Sequence, residues 1–287
     1  VKEMDAETGM PLESGYGEKL LGGNHLRIEA PYVIYNEETG YYYMFLSFGG
    51  LDSDGGYNIR VCRSENPSGP YVDSMGQDMK DCKGPAGSAF SDATAELYGT
   101  KLMGGYKFTW KEGEEGEDRK GYLSPGHNSC LYQEETGKYF IIYHTRFENS
   151  GETHEVRVHQ MFFNEEGWPV IAPYRYTEES AEKLESKQLV GTYKYINHGR
   201  DISPDMKESE ELILNKNNTL SGALEGTWEL SGDYNITLKT DEAEYKGIAL
   251  KQWDEDGKKY VMTFTALDSK SGTAIWGSGL NALNAIE

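Results

Sequence analysis

The stretch IYNEETGYYYMFLSF, residues 34–48, is met a second time, without a gap, as LYQEETGKYFIIYHT, residues 131–145. Both copies read as an apolar strand, a tight turn through Glu-Glu-Thr-Gly and a Tyr-rich strand, the pattern of a β-hairpin and not of a helix. The register runs on into NIRV from Asn58 and EVRV from Glu155, so Arg60 and Arg157 occupy the same repeat position. An inner strand, a middle strand and an alternating third strand make up most of a β-propeller blade. Such a unit buries its faces only against neighbours, which is why self-similarity is read before any single strand.

A fragment of the same turn, DAETGMP, begins at Asp5 and reads as the tail of a preceding blade. Two blades and a remnant cannot close a ring, and an open stack would present unpaired strand edges. The expectation is therefore that this is the last part of a propeller, completed by an N-terminal propeller fragment, either a separate chain or a missing part of the same one. Between the copies, Asp73–Lys120 predicts an inserted stretch with a short helix from Asp92 to Leu97.

After Tyr176 the texture changes. The charged segment TEESAEKLESKQ reads as a linker, and the strands beyond it, with hairpin signals at Gly232-Asp233 and Asp256-Gly257, predict a small antiparallel barrel. The division expected is 1–178 for the C-terminal portion of a propeller, which the resemblance described below implies to be five-bladed, and 185–287 for an accessory β-barrel. The fold class is all-β.

Composition narrows the function. A net charge of −20 with no basic stripe repels nucleic acid and anionic membranes, whereas a neutral polysaccharide meets no such barrier. No apolar run approaches the roughly 18 residues that span a bilayer. Cys62, Cys82 and Cys130 are odd in number and widely spaced, so they suggest neither a disulfide framework nor a zinc site.

The repeat places Glu29, in RIEAPY, within a residue or two of His127, in SPGHNS, each just before its inner strand. Inner strands line the central channel of a propeller, so both side chains are candidates for one axial cavity. Phe48, Gly49, Gly50 and Leu51 follow the first middle strand, where loops reach the channel mouth and glycine lets a sugar approach the backbone. Arg146 is a candidate for sugar hydroxyls. Arg60 and Arg157, being repeat partners, read as structural, and His144, His154 and His159 read as core or surface histidines. Trp228, Trp253 and Trp276 read as barrel core rather than as sugar-stacking platforms.

The segments IEAPYVIYN, YYYMFLSFGGLD, YNIRVCRS, SPGHNSCLY and KYFIIYHTR resemble glycoside hydrolase family 43, in particular its extracellular endo-α-1,5-L-arabinanases, over Val1 to about Tyr176. The C-terminal barrel is similar to the extra domain of the larger members. The resemblance implies that Glu29 is the general acid of an inverting glycosidase acting on arabinan, and that His127 lies beside a calcium ion held mostly by water. It also implies secretion to the extracellular space or cell surface. An inverting enzyme pairs such an acid with a carboxylate base roughly 6.5–9.5 Å away. The family's base and the Asp that tunes the acid precede the matched region, and neither motif occurs in this chain; Asp52 and Asp54 read as facing substrate or solvent. The alternatives are an exo-acting arabinofuranosidase or β-xylosidase and a non-catalytic glycan-binding protein.

Overall fold

The computed structural model describes residues 1–112, 114 and 120–283. It is all-β: among the described residues α-helix is confined to α1 (Asp92–Ala95) and α2 (Ser186–Leu189). α1 begins where the sequence places it and stops two residues sooner.

The first repeat forms β1 (Ile28–Asn36), β2 (Tyr41–Phe48) and β3 (Asn58–Ser64), and β4 (Thr100–Met103) adds a fourth antiparallel strand after the insertion. A two-residue strand, β5 (Tyr106–Lys107), pairs with the start of the second repeat. That repeat forms β6 (Tyr122–Gln133), β7 (Lys138–Phe147), β8 (Glu155–Phe163) and β9 (Pro169–Ile171), again a four-stranded antiparallel meander.

The hairpin turns explain the repeated motif. Gly40 and Gly137 both sit at positive φ and donate back to the carbonyls of Asn36 and Gln133 at 2.9 Å. A residue with a Cβ is strained in that region, so the last position of Glu-Glu-Thr-Gly is glycine. Asp5–Gly9 adopts the same turn: Gly9 donates to the Asp5 carbonyl at 2.9 Å, and Thr8 N–H donates to Asp5 Oδ1, as Thr39 N–H does to Asn36 Oδ1.

The remaining strands are β10 (Gly191–Asn197), β11 (Lys207–Glu208), β12 (Glu210–Leu214), β13 (Thr219–Gly222), β14 (Gly226–Ser231), β15 (Asn235–Lys239), β16 (Glu244–Asp254), β17 (Lys259–Asp268) and β18 (Thr273–Gly279). All except β11 form a closed eight-stranded barrel, completed where β18 pairs with both β17 and β10. Closure leaves the barrel no exposed edge. Its interior holds Tyr193, Leu212, Leu214, Trp228, Leu238 and Phe264.

A second core joins barrel and meanders. Tyr43, Phe45, Val61, Ile141 and Tyr143 from the two repeats share one cluster with Ile196, Ile248 and Trp276 from the barrel. Trp276 is fully buried, with Tyr106 4.8 Å and His198 4.3 Å from its ring centre. Trp228 is likewise buried, and the half-buried Trp253 packs edge-on to its cross-strand neighbour Tyr260. Of the three tryptophans expected in the barrel core, Trp228 lies there, whereas Trp276 lies in the core shared with the repeats and Trp253 in a half-buried cross-strand pair. All three cysteines are free and buried.

Candidate active site

Both inner strands break their pairing at the same repeat position. β1 has a register shift between Glu29 and Tyr32, and β6 has one between Gly126 and Ser129. Within each shift one residue takes positive φ, Ala30 at 53° and His127 at 48°. Positive φ is uncommon for residues with a Cβ, and bulges of this kind re-aim side chains next to functional sites. Here they turn out the two residues that the sequence singles out: Glu29 is exposed on the largely open strand β1, and His127 is exposed on β6 between the buried Gly126 and Asn128.

The two bulges are tied together by the first repeat. The His127 N–H donates to Ser47 Oγ at 2.8 Å, and Ser47 is the cross-strand partner of Glu29. Tyr57, just before β3, donates its hydroxyl to Glu29 Oε1 at 2.5 Å and also faces the Ser47 hydroxyl and the His127 backbone. Burial, and then the hydrogen bond and charge of Glu29, push the Tyr57 hydroxyl well above its ordinary pKa, so it stays protonated and can donate. Arg27, the nearest cation in sequence, pairs with Asp92 instead of Glu29.

Histidines continue the row. His144, on β7 opposite Gly126, stacks at 5.9 Å on both Tyr57 and His127 and meets His154 edge-on at 4.4 Å. Burial first, then the positive potential of His154, His127 and Arg146, lowers His144 to about 4, so it is neutral at neutral pH. Its Nδ1 is buried without a hydrogen-bond partner among the described residues.

The other candidates lie on the rim. Arg146 is 2% exposed; its Nε donates to His154 Nε2 at 3.0 Å, its guanidinium holds the Leu51 carbonyl, and it pairs with Glu152. It thus anchors the loop after β2, which Ser124 also grips through the Asp52 carbonyl at 3.2 Å. Phe48 is fully buried beneath Arg60, 4.9 Å from its ring centre, whereas Leu51 is 44% exposed. A Cβ on Gly49 would lie 2.7 Å from the carbonyl oxygens of Gly55 and Gly56, and one on Gly50 3.1 Å from the Cα of Gly55, so these glycines let the loop close on itself. Asp52 and Asp54 are exposed on that loop.

Calcium takes roughly six to eight oxygen ligands. Among the described residues no three His, Cys, Asp or Glu side chains converge to hold a metal, and His127 offers one imidazole nitrogen. The described side chains do not by themselves make up a calcium shell.

Tyr57, Ser47 and His144 escape a reading of the sequence alone. The available signal is that Ser47 and His144 share a repeat position and that Tyr57 matches His154, so each repeat sends the same two positions toward the bulges.

Comparison with known proteins gives the kinship of the chain. Residues 173–277 match the family model GH43_C, a C-terminal lipocalin-like domain. The chain is 52% identical over 279 residues to extracellular endo-alpha-(1->5)-L-arabinanase 2 of Bacillus subtilis, covering 97% of this chain and 58% of that protein. Over nearly its whole length the chain is similar to glycoside hydrolases of family 43. The structure of a family 43 glycoside hydrolase from Bacillus licheniformis superposes with a TM-score of 0.92 at 51% identity, over 98% of this chain and 62% of that one. Endo-1,5-alpha-L-arabinanase from Thermotoga petrophila superposes with a TM-score of 0.89 at 47% identity, over 97% and 61%. The chain therefore spans about three fifths of the length of the relatives it matches.

Proposed function

We propose that this chain is the part of an extracellular endo-α-1,5-L-arabinanase that supplies the general acid, Glu29, within a five-bladed propeller whose remaining blades supply the base. The observation that carries the reading is the exposed Glu29 at the start of β1, beside the positive-φ Ala30 and linked through Ser47 and Tyr57 to the matching bulge of the second repeat. The relatives support the substrate class, since two bear endo-arabinanase names and one the word extracellular. The exposed apolar residues Tyr32, Val33 and Tyr35 on the edge strand β1 support a further blade packed there.

In the proposed reaction the Glu29 proton passes to the glycosidic oxygen as the bond from that oxygen to the anomeric carbon breaks. Water adds to the opposite face of that carbon and gives its proton to the base carboxylate, inverting the centre. Tyr57 holds the acid, Ser47 ties the second bulge to it, and Arg146 holds the rim loop carrying Leu51, Asp52 and Asp54. A calcium ion beside His127 would draw most of its oxygens from water.

The test is Glu29→Gln in the full-length enzyme. Hydrolysis of linear arabinan should fall by about a thousandfold or more while arabinan binding persists, and proton NMR of the wild-type product should show the inverted anomer first. Undiminished hydrolysis by the variant would remove Glu29 from the acid role.

A further inference from the structure

Glu29 stands on an exposed bulge, yet its carboxyl is met by a buried group from the residue just before β3. Tyr57 is 1% exposed, and its ring rests on two cross-strand partners of the second repeat. It stacks on His144 at 5.9 Å. It also lies against the bare Cα of Gly126: a Cβ there would come within 2.2 Å of the ring atoms Cδ1 and Cε1. No side chain of any size fits, so the glycine in SPGHNS is a seat for the Tyr57 ring. The hydroxyl that emerges from this seat ends 2.5 Å from Glu29 Oε1.

We infer that Tyr57 is the positioning residue for the acid, fixing Glu29 so that Oε1 accepts from the phenol and Oε2 carries the proton toward the glycosidic oxygen. The inference rests on Glu29 being the acid. Without the bond, a glutamate on an exposed bulge turns freely among rotamers and delivers its proton from only a fraction of them. With it, the donor also points at the carboxylate charge that appears when the proton leaves, and a neutral hydrogen bond becomes a charge-assisted one. His144 and Gly126 act only through the ring: one supports its face and the other makes room for it.

The experiment compares Tyr57→Phe, Gly126→Ala and Glu29→Gln in the full-length enzyme on two substrates. One is linear arabinan, whose leaving alkoxide needs a proton. The other is a 2,4-dinitrophenyl arabino-oligosaccharide, whose leaving phenolate does not. Tyr57→Phe removes one oxygen and keeps the ring in its seat, so the fold should survive, as checked by circular dichroism. A lost hydrogen bond to a group that becomes charged corresponds to roughly a tenfold to hundredfold loss. We expect that loss in kcat on arabinan, with KM changed by less than about twofold and the dinitrophenyl substrate slowed by less than about threefold. Gly126→Ala, which evicts the ring, should show the same split. Glu29→Gln serves as the reference for loss of the acid. If it lacks the leaving-group split, the acid assignment itself fails. If it shows the split while Tyr57→Phe slows both substrates equally, or neither, the acid stands and the positioning role of Tyr57 is overturned. Should Gly126→Ala fail to fold, Tyr57→Phe alone decides.

Discussion

Replacing each of the two repeat-related arginines with lysine separates what the repeat imposes from what the tertiary structure adds. Arg60 is fully buried; its Nε donates to Asn58 Oδ1 at 2.9 Å, and its terminal nitrogens reach the carbonyls of Glu96 at 3.2 Å, Tyr98 at 2.8 Å and Arg200. The acceptors come from β3, the insertion and the segment that follows β10, so one guanidinium ties the first repeat to the barrel. Arg157 donates to Tyr122 Oη at 3.1 Å, to its neighbour's carbonyl at 2.9 Å and to the half-exposed Glu155. A lysine ammonium is a single point and cannot span the acceptors that the planar fork reaches. At Arg60 about two acceptors would lose their donor out of reach of water, each at about 1–3 kcal/mol, and local relaxation would recover part, leaving about 3 kcal/mol. At Arg157 water and the exposed carboxylate substitute, and the cost should stay below about 1 kcal/mol. Urea unfolding of Arg60→Lys and Arg157→Lys, compared through their midpoints at unchanged slope, measures the difference. Equal costs would refute the claim that Arg60 clamps the two parts together.

The remaining predictions concern pH and the seam. His159 is fully buried, with Nδ1 on the Ala172 carbonyl at 2.7 Å and Nε2 on Tyr143 Oη at 2.9 Å, and burial lowers it to about 4. The unfolded chain therefore binds a proton that the folded one refuses: stability is full above pH 6.5 and is lost as pH falls toward about 4, by an amount of order 3 kcal/mol for this group. His159→Gln should flatten that slope in urea titrations between pH 7 and 4, and an unaltered slope would contradict the account. Trp276→Ala should cost about 3–5 kcal/mol and loosen the repeats as well as the barrel, because the ring lies in their shared core. A variant with unchanged stability but weaker arabinan retention would instead make Trp276 a sugar platform.

The sequence by itself determined the all-β class, the two equivalent hairpins with their glycine turns, and the antiparallel strands of the second half, because these depend on local periodicity and on conformations that only certain residues tolerate. It also pointed to Glu29 and His127, because a repeat carries equivalent positions to equivalent places. Only the tertiary structure decided that the barrel closes through β18 and that Trp276 serves the seam. It also decided that Phe48 and Arg146 face inward while Leu51 remains exposed, and that Arg60 is buried where its repeat partner is not. The contact between Tyr57 and Glu29 belongs to the same class. It arises where a bulge in one strand, the start of another and a glycine in a third meet, and such a meeting depends on how the sheets pack, which no local pattern along the chain records.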